Sequence, residues 1–183
     1  MPEQEFWSLI ARARQTAIAQ SPAHGDELLD LQIAAMQQLL TALPAEQIVA
    51  YQRRYEEISA RLYRWDIWGA AYWLNGGCGD DGFIDFRATV ISLGKERVRQ
   101  TLADPDSLAD LVSQKDTPCM QAEGFQYVAS RAYSVKTGGG TFPLPDAPVQ
   151  PEVPVGQQWD FDDEELMAER YPRLVEVLPE MGG

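Results

Sequence analysis

Apolar residues recur every three or four positions through most of the chain, which is the spacing of an amphipathic α-helix. The clearest run keeps one helical face apolar for about seven turns and consists of Ile48, Tyr51, Tyr55, Ile58, Leu62, Trp65, Gly69 and Tyr72. It stops at Asn75-Gly76-Gly77, residues that tolerate the left-handed backbone of a helix end. We predict one long helix, or two nearly collinear helices, over about 45–74.

The same periodicity predicts further helices over 3–19, 27–41, 83–103 with a possible break at Gly94, and 120–135. Asp106 is the expected N-cap of a short helix that follows Asp104-Pro105. Asp162 and Glu165 have the spacing of a capping box, and Pro172 is expected to begin a final short turn. No segment alternates strictly between apolar and polar residues over more than four positions, so we predict no substantial sheet.

These patterns predict an all-α protein, a single-domain irregular bundle of about six to eight helices. The chain has 183 residues, enough to bury a hydrophobic core without metals or disulfides. Five prolines and four glycines fall within residues 138–158, which predicts an extended arm. We therefore expect a helical core domain over 1–137, an arm over 138–158, and an acidic helical segment over 159–183 that packs on the same domain.

Acidic residues outnumber basic ones, 28 to 15, and the excess is concentrated late in the chain. Residues 101–183 hold 15 acidic and 5 basic side chains. This balance argues against nucleic acid and against an anionic membrane surface, because both carry negative charge. It favours a basic protein as partner. The alternative is that the negative charge only keeps the protein soluble. The acids that we expect to contact such a partner are Asp160, Asp163 and Glu164.

The residues available for chemistry are few. His24 is the single histidine and lies in a turn-like stretch, and Cys78 and Cys119 are far apart in the chain. This inventory does not provide a zinc site, a catalytic triad or a disulfide framework. No glycine-rich stretch has the lysine and hydroxyl residue of a phosphate-binding loop. We expect no cofactor and no metal, and the acidic start, which lacks the layout of a signal peptide, suggests a cytoplasmic protein.

One stretch combines tryptophans, charged residues and a tight acidic loop. It runs Arg64-Trp65-Asp66-Ile67-Trp68-Gly69-Ala70-Ala71-Tyr72 and continues after two residues with Asn75-Gly76-Gly77-Cys78-Gly79-Asp80-Asp81-Gly82-Phe83. Further characteristic stretches are Phe6-Trp7, Phe86-Arg87, Asp104-Pro105-Asp106-Ser107-Leu108-Ala109, Trp159-Asp160 and Tyr171-Pro172-Arg173-Leu174. Together with them, the stretch resembles a bacterial family known as domain of unknown function number four-two-four-zero. The resemblance covers most of the chain. It implies no catalytic residues, so the motif region is defined only by Trp65, Trp68, Tyr72, Asn75 and Cys78.

Two interpretations of this motif remain open. In an enzyme, Asp66, Asp80, Asp81 and Asp85 would converge as oxygen ligands for Mg²⁺ or Ca²⁺, and Arg64 and Arg87 would hold an anionic substrate. In a structural role, Asp80 or Asp81 would cap a helix that starts at Gly82, and Asp66 would pair with a nearby arginine. Gly69, Ala70 and Ala71 would then allow a neighbouring helix to approach closely.

From these observations we favour a non-enzymatic acidic protein-interaction module. A bacterial immunity protein or antitoxin that blocks a basic toxin is one such module. The alternative is a small hydrolase or a Mg²⁺- or Ca²⁺-dependent enzyme that uses the Arg64-Trp65-Asp66 and Asp80-Asp81 region.

Overall fold

The computed structural model describes residues 1–20, 25–112, 122–143 and 150–179. These ranges contain eleven α-helices, one short 3₁₀ helix and no strand, so the all-α class is confirmed. None of the helices in these ranges is long and apolar enough to cross a membrane. The α-helices are α1 (Glu3–Gln20), α2 (Gly25–Thr41), α3 (Ala45–Arg61), α4 (Trp65–Asn75), α5 (Asp80–Ser92), α6 (Lys95–Ala103), α7 (Ala109–Val112), α8 (Glu123–Gln126), α9 (Val128–Thr137), α10 (Glu164–Arg170) and α11 (Pro172–Val177).

The first three helices and α9 form one side of the core. Helix α1 packs on α2, and α9 packs on both α2 and α3. Phe6 joins α1 to α3, because its ring centroid lies 4.9 Å from that of Tyr51. The apolar stripe of α3 is buried as its spacing requires, with Ile48, Tyr51, Tyr55 and Ile58 all inside.

The long helical run predicted over 45–74 is two helices, α3 and α4, separated by residues 62–64. Arg64, between them, has an extended backbone with φ −138° and ψ 144°. Residues on both sides of Arg64 bind Val155, since Val155 N donates to Tyr63 O and Trp65 N donates to Val155 O, both at 3.0 Å. The helix is therefore interrupted where the chain pairs with a distant segment, which no local pattern could indicate.

A second interruption falls at Gly94, between α5 and α6, as the sequence suggested. Its φ of 103° is left-handed and suits glycine. The predicted N-cap at Asp106 is wrong, because Asp104 caps the 3₁₀ helix Pro105–Leu108 by accepting a hydrogen bond from Asp106 N. Asp106 itself is 5% exposed, and its two carboxylate oxygens accept from Arg173 N and Leu174 N in the first turn of α11.

The last segment, residues 150–179, lies against α4 and the 3₁₀ helix. The arm predicted over 138–158 begins after Gly138, which ends α9 in a left-handed conformation. His24, Cys119 and residues 144–149 of the predicted arm are outside the described residues. The predicted division into core, arm and C-terminal segment stays a prediction.

Candidate functional site

The motif residues of α4 form an aromatic stack that anchors the helix to α5. Trp65 stacks on Trp68 with ring centroids 5.3 Å apart, and Trp68 stacks on Phe83 at 4.7 Å. The indole nitrogen of Trp68 donates to Cys78 O at 2.8 Å, which fixes the loop between α4 and α5. Asn75 ends α4 next to the left-handed Gly76. These residues therefore build the scaffold of the motif.

Arg64 and Asp66 form an ion pair at the start of α4. Arg64 Nε donates to Asp66 Oδ1 at 2.9 Å, and a second contact joins Arg64 Nη2 to Asp66 Oδ2. Asp66 Oδ1 also accepts from Ile67 N, and Arg64 Nη1 donates to Leu102 O at 3.0 Å. The pair thus links the beginning of α4 to the end of α6, which agrees with the structural interpretation of Asp66.

Gly69 is the point at which the C-terminal segment comes closest to α4. A Cβ atom placed there would lie 2.5 Å from Trp159 Cζ2 and 2.7 Å from the hydroxyl of Tyr171. That hydroxyl donates to Asp66 O, and Trp73 Nε1 donates to Leu178 O at 2.9 Å. The expected close approach is therefore present, but two aromatic side chains make it in place of a helix backbone.

The predicted carboxylates are not gathered into a metal site. Asp80 and Asp81 lie exposed in the first turn of α5, whose N-cap is Gly79 and not a side chain, so the predicted cap is wrong. Asp85 accepts a hydrogen bond from Gln126, whereas Asp66 is held by Arg64. In the part of the chain that the structure describes, no three His, Cys, Asp or Glu side chains are grouped so that they could hold a metal ion.

Of two other groups of the motif, Cys78 is half-buried and Arg87 is buried. Burial raises the pKa of the Cys78 thiol to about 11, which keeps it protonated and a poor nucleophile at neutral pH. Arg87 is 2% exposed and lines a different cleft from Arg64, so the two arginines do not form one anion clamp. The Arg87 guanidinium lies over the ring of Tyr63, 4.9 Å from its centroid.

The acidic residues of the C-terminal segment are exposed and have no cationic partner among the described residues. They are Asp160, Asp162, Asp163, Glu164 and Glu165. The predicted cap at Asp162 is wrong, because α10 begins at Glu164 and Asp163 Oδ1 accepts from Leu166 N at 3.1 Å. Asp162 instead accepts a hydrogen bond of 2.6 Å from the Tyr72 hydroxyl, which ties the acidic residues to α4.

The comparisons with known proteins give one family. The family described as "Protein of unknown function (DUF4240)" matches residues 1–135. The chain belongs to this family. No curated protein matches the chain at a significant level, and no solved structure does either.

The DUF4240 match covers only one of the two parts of this site. It includes α4, with the surface that receives Trp159 and Tyr171, and all of α5. The received segment and its five exposed acids lie beyond the matched residues. In this DUF4240 protein, then, a surface of the family region holds a segment that follows it in the chain.

Sequence reasoning missed how this segment is held. Trp159, Tyr171 and Asp106 fix it, and each acts across more than sixty residues of chain. One signal was present at Pro172. It is the first residue of a helix that has no capping side chain before it, so the N–H groups of the first turn need an acceptor from elsewhere in the chain. That signal does not say which residue supplies the acceptor.

Proposed function

We propose that this protein is a non-enzymatic interaction module that binds a basic partner protein through the acidic surface formed by Asp160, Asp162, Asp163, Glu164 and Glu165. The observation that carries the proposal is that these five exposed carboxylates have no ion pair within the described residues. Crowded like charges repel each other, and a basic partner would relieve that repulsion.

The acidic surface is attached to a fixed support. Tyr72 binds Asp162, and the ring of Trp159 sits in the space that Gly69 leaves open. A preorganised surface loses less conformational entropy when it binds than a flexible tail does. The arrangement therefore favours a defined partner over general solubility.

Apolar side chains lie on the same segment. Val153 and Val155 are 66% and 56% exposed, which provides apolar contact area beside the charges. An excess of acids over bases, 28 to 15 in the whole chain, would speed the approach of a basic protein. A toxin neutralised by an immunity protein or antitoxin is a partner of this kind.

The test compares two double variants that each remove two negative charges. Glu164→Gln with Glu165→Gln removes charge from the acidic surface, whereas Glu5→Gln with Asp30→Asn removes it from exposed positions on α1 and α2. We expect a basic protein from the source cells to be retained by the wild-type protein and by the α1–α2 variant, and lost by the Glu164–Glu165 variant.

Association kinetics then distinguish long-range electrostatic attraction from non-specific binding. With the retained protein purified, the association rate should fall as salt rises from low to physiological concentration, where the Debye length is about 8 Å. Equal retention by both double variants, or an association rate that ignores salt, would show that the acidic surface does not bind this partner.

A further inference from the structure

Arg87 is a buried cation without a buried anion. It is 2% exposed, and within the described residues it forms no ion pair. Its Nη1 donates to Ser59 O at 3.0 Å and to the side-chain oxygen of Gln150 at 2.7 Å, and Nε donates to Phe83 O. Its Nη2 donates to none of the described residues. The charge of Glu56 acts on Arg87 without an ion-pair contact, so the guanidinium lacks a directly bound anion, and an anionic group that reached it would bind strongly.

Arg87 faces a cleft of about 330 Å³, and Tyr55, Glu56, Ser130 and Gln150 also line it. This volume is within the range of small-molecule sites. The Tyr55 side chain is 4% exposed, and its hydroxyl makes no hydrogen bond with the described residues. The cleft thus contains two donors, the Arg87 guanidinium and the Tyr55 hydroxyl, that suit one anionic group, beside one carboxylate, Glu56, that suits a cationic group.

The amide oxygen of Gln150 already occupies one donor of Arg87. Gln150 is an exposed residue of the C-terminal segment, so its side chain can leave without disturbing the core. A carboxylate would bind the guanidinium more strongly than this neutral oxygen does, because hydrogen bonds between charged groups are shorter and stronger. Gln150 therefore occupies the place of a ligand oxygen.

A second cleft of about 410 Å³ adjoins the first and is acidic. Both clefts are lined by Ile84, Gln126 and Tyr127, so they form one groove along α5. The second cleft is also lined by Asp81, Asp85 and Glu123. Three carboxylates that line one cleft would attract a cationic group, and burial first, and then the charge of Glu123, raises the pKa of Asp85.

We propose that this groove binds a small zwitterionic molecule. Its carboxylate is held by Arg87 and the Tyr55 hydroxyl, and its cationic group faces Asp81, Asp85 and Glu123. Residues 81 and 87 are six positions apart on α5, which corresponds to about 9 Å along the helix axis. That length fits a basic amino acid or a short peptide. A multiply charged anion such as a nucleotide would be repelled by the three carboxylates and by the net charge of −13.

The first experiment asks whether both charges of the ligand matter. L-Arginine is titrated into the full-length protein and followed by NMR, in parallel with agmatine, which lacks the carboxylate, and norvaline, which lacks the guanidinium. We expect saturable binding of L-arginine, and at least about tenfold weaker binding of each truncated compound. No saturable binding of L-arginine at about 10 mM, or equal binding of all three titrated compounds, overturns the proposal.

The second experiment locates the site with variants that leave the core intact. Gln150→Ala frees one N–H of Arg87 Nη1, the other being bound to Ser59 O, and should tighten L-arginine binding by about two- to fivefold, because the ligand no longer displaces a competing oxygen. Gln157→Ala, on the same segment but lining a different cleft, is the matched control and should change nothing. Tyr55→Phe keeps the ring and should weaken binding by about three- to tenfold.

Arg87→Lys retains the charge but loses the planar fork and should weaken binding further. If this variant does not fold, the Gln150 and Tyr55 variants still decide the outcome. Binding that is unchanged by both Gln150→Ala and Tyr55→Phe overturns the assignment to this cleft. The inference does not depend on the acidic C-terminal surface, whose residues line neither cleft.

Discussion

Gly69 has no side chain, and two aromatic residues occupy the space next to it. Trp159 and Tyr171 approach from a part of the chain about a hundred residues away, and Tyr171 also binds the backbone of Asp66. Protein interiors are packed so closely that one added methyl group is felt. The identity of this one residue therefore decides whether the C-terminal segment can pack on α4.

Gly69→Ala should destabilise the protein by about 1–3 kcal/mol, since the new Cβ would overlap Trp159 and Tyr171. Thermal unfolding measures the loss, and tryptophan fluorescence reports the displaced indole. Gly82→Ala is the matched control, because its Cβ would meet only Cys78 Sγ at 3.4 Å and alanine favours a helix. Equal stability of the two variants would mean that the contact at Gly69 contributes nothing.

Asp163 is the N-cap of α10, so Asp163→Ala should lower stability by about 1 kcal/mol. Asp163→Asn keeps a capping oxygen and should be nearly neutral. Glu164→Ala, one position later and without a capping contact, is the comparison in urea unfolding. A larger loss for Glu164→Ala than for Asp163→Ala would contradict the assignment of the cap.

Asp85 is a carboxyl whose pKa in the folded protein is raised by burial and by the charges of Glu123 and Asp81. Its ionised form is thus disfavoured in the folded state, and this penalty is present above the raised pKa and absent below the unfolded value. Asp85→Asn should therefore raise the thermal midpoint at pH 7, where it removes the charge while its amide oxygen can still accept from Gln126. The gain should vanish at about pH 3, below the ordinary pKa of an aspartate. A gain that is equal at both pH values would contradict this account.

Helix α11 depends on an acceptor from another element. Its first residue is a proline, its N-cap Tyr171 supplies no side-chain cap, and the two oxygens of Asp106 accept from its free N–H groups. A helix of six residues is too short to be stable without such contacts. The 3₁₀ helix that carries Asp106 therefore holds α11 in place.

Asp106→Ala should destabilise the protein by about 2–4 kcal/mol, because it leaves buried N–H groups without a partner. It should also make the chain after Trp159 more sensitive to limited proteolysis. Asp110→Ala removes a nearby surface pair with Arg173 and should cost less than about 1 kcal/mol. If the two substitutions have the same effect on proteolysis, Asp106 does not anchor α11.

Helices were predictable wherever their cause is local. The three-and-four spacing of α3 and the stop at Gly76 both arise from neighbouring residues, and both are present in the structure. The interruption at Arg64 was not fixed by local pattern, because it depends on hydrogen bonds to Val155. Local pattern also did not show that Asp104, and not Asp106, is the N-cap of the 3₁₀ helix. Asp106 instead accepts from N–H groups of α11, which lies far away in the sequence.

The candidate site divides in the same way. The pairing of Asp66 with an arginine was foreseeable, because Arg64 is two positions away. The place of Arg87 was not foreseeable, because its neighbours Ser59 and Gln150 come from distant parts of the chain. Spacing along one helix shows which residues share a face, but not which cleft that face borders.

Across the whole molecule, the net charge of −13 makes the folded state repel itself. Folding brings the carboxylates closer together, so screening them should favour the folded state. We expect the thermal midpoint to rise as sodium chloride increases from about 10 mM to about 150 mM, over which the Debye length falls from about 30 Å to about 8 Å. A midpoint that falls over this range would show that specific ion pairs outweigh the general repulsion.

The packing of residues 150–179 on α4 also bears on how the protein is made. Synthesis runs from the N-terminus, and early parts of a chain tend to fold first. While the last residues are still being added, Gly69 has neither Trp159 nor Tyr171 beside it, and the aromatic stack of Trp65 and Trp68 is without part of its cover. A nascent chain at that stage would expose an apolar surface to which the ribosome and chaperones can bind. Premature termination just before Trp159 should thus yield a product that chaperones hold and proteases clear, although the whole family region, residues 1–135, is already complete.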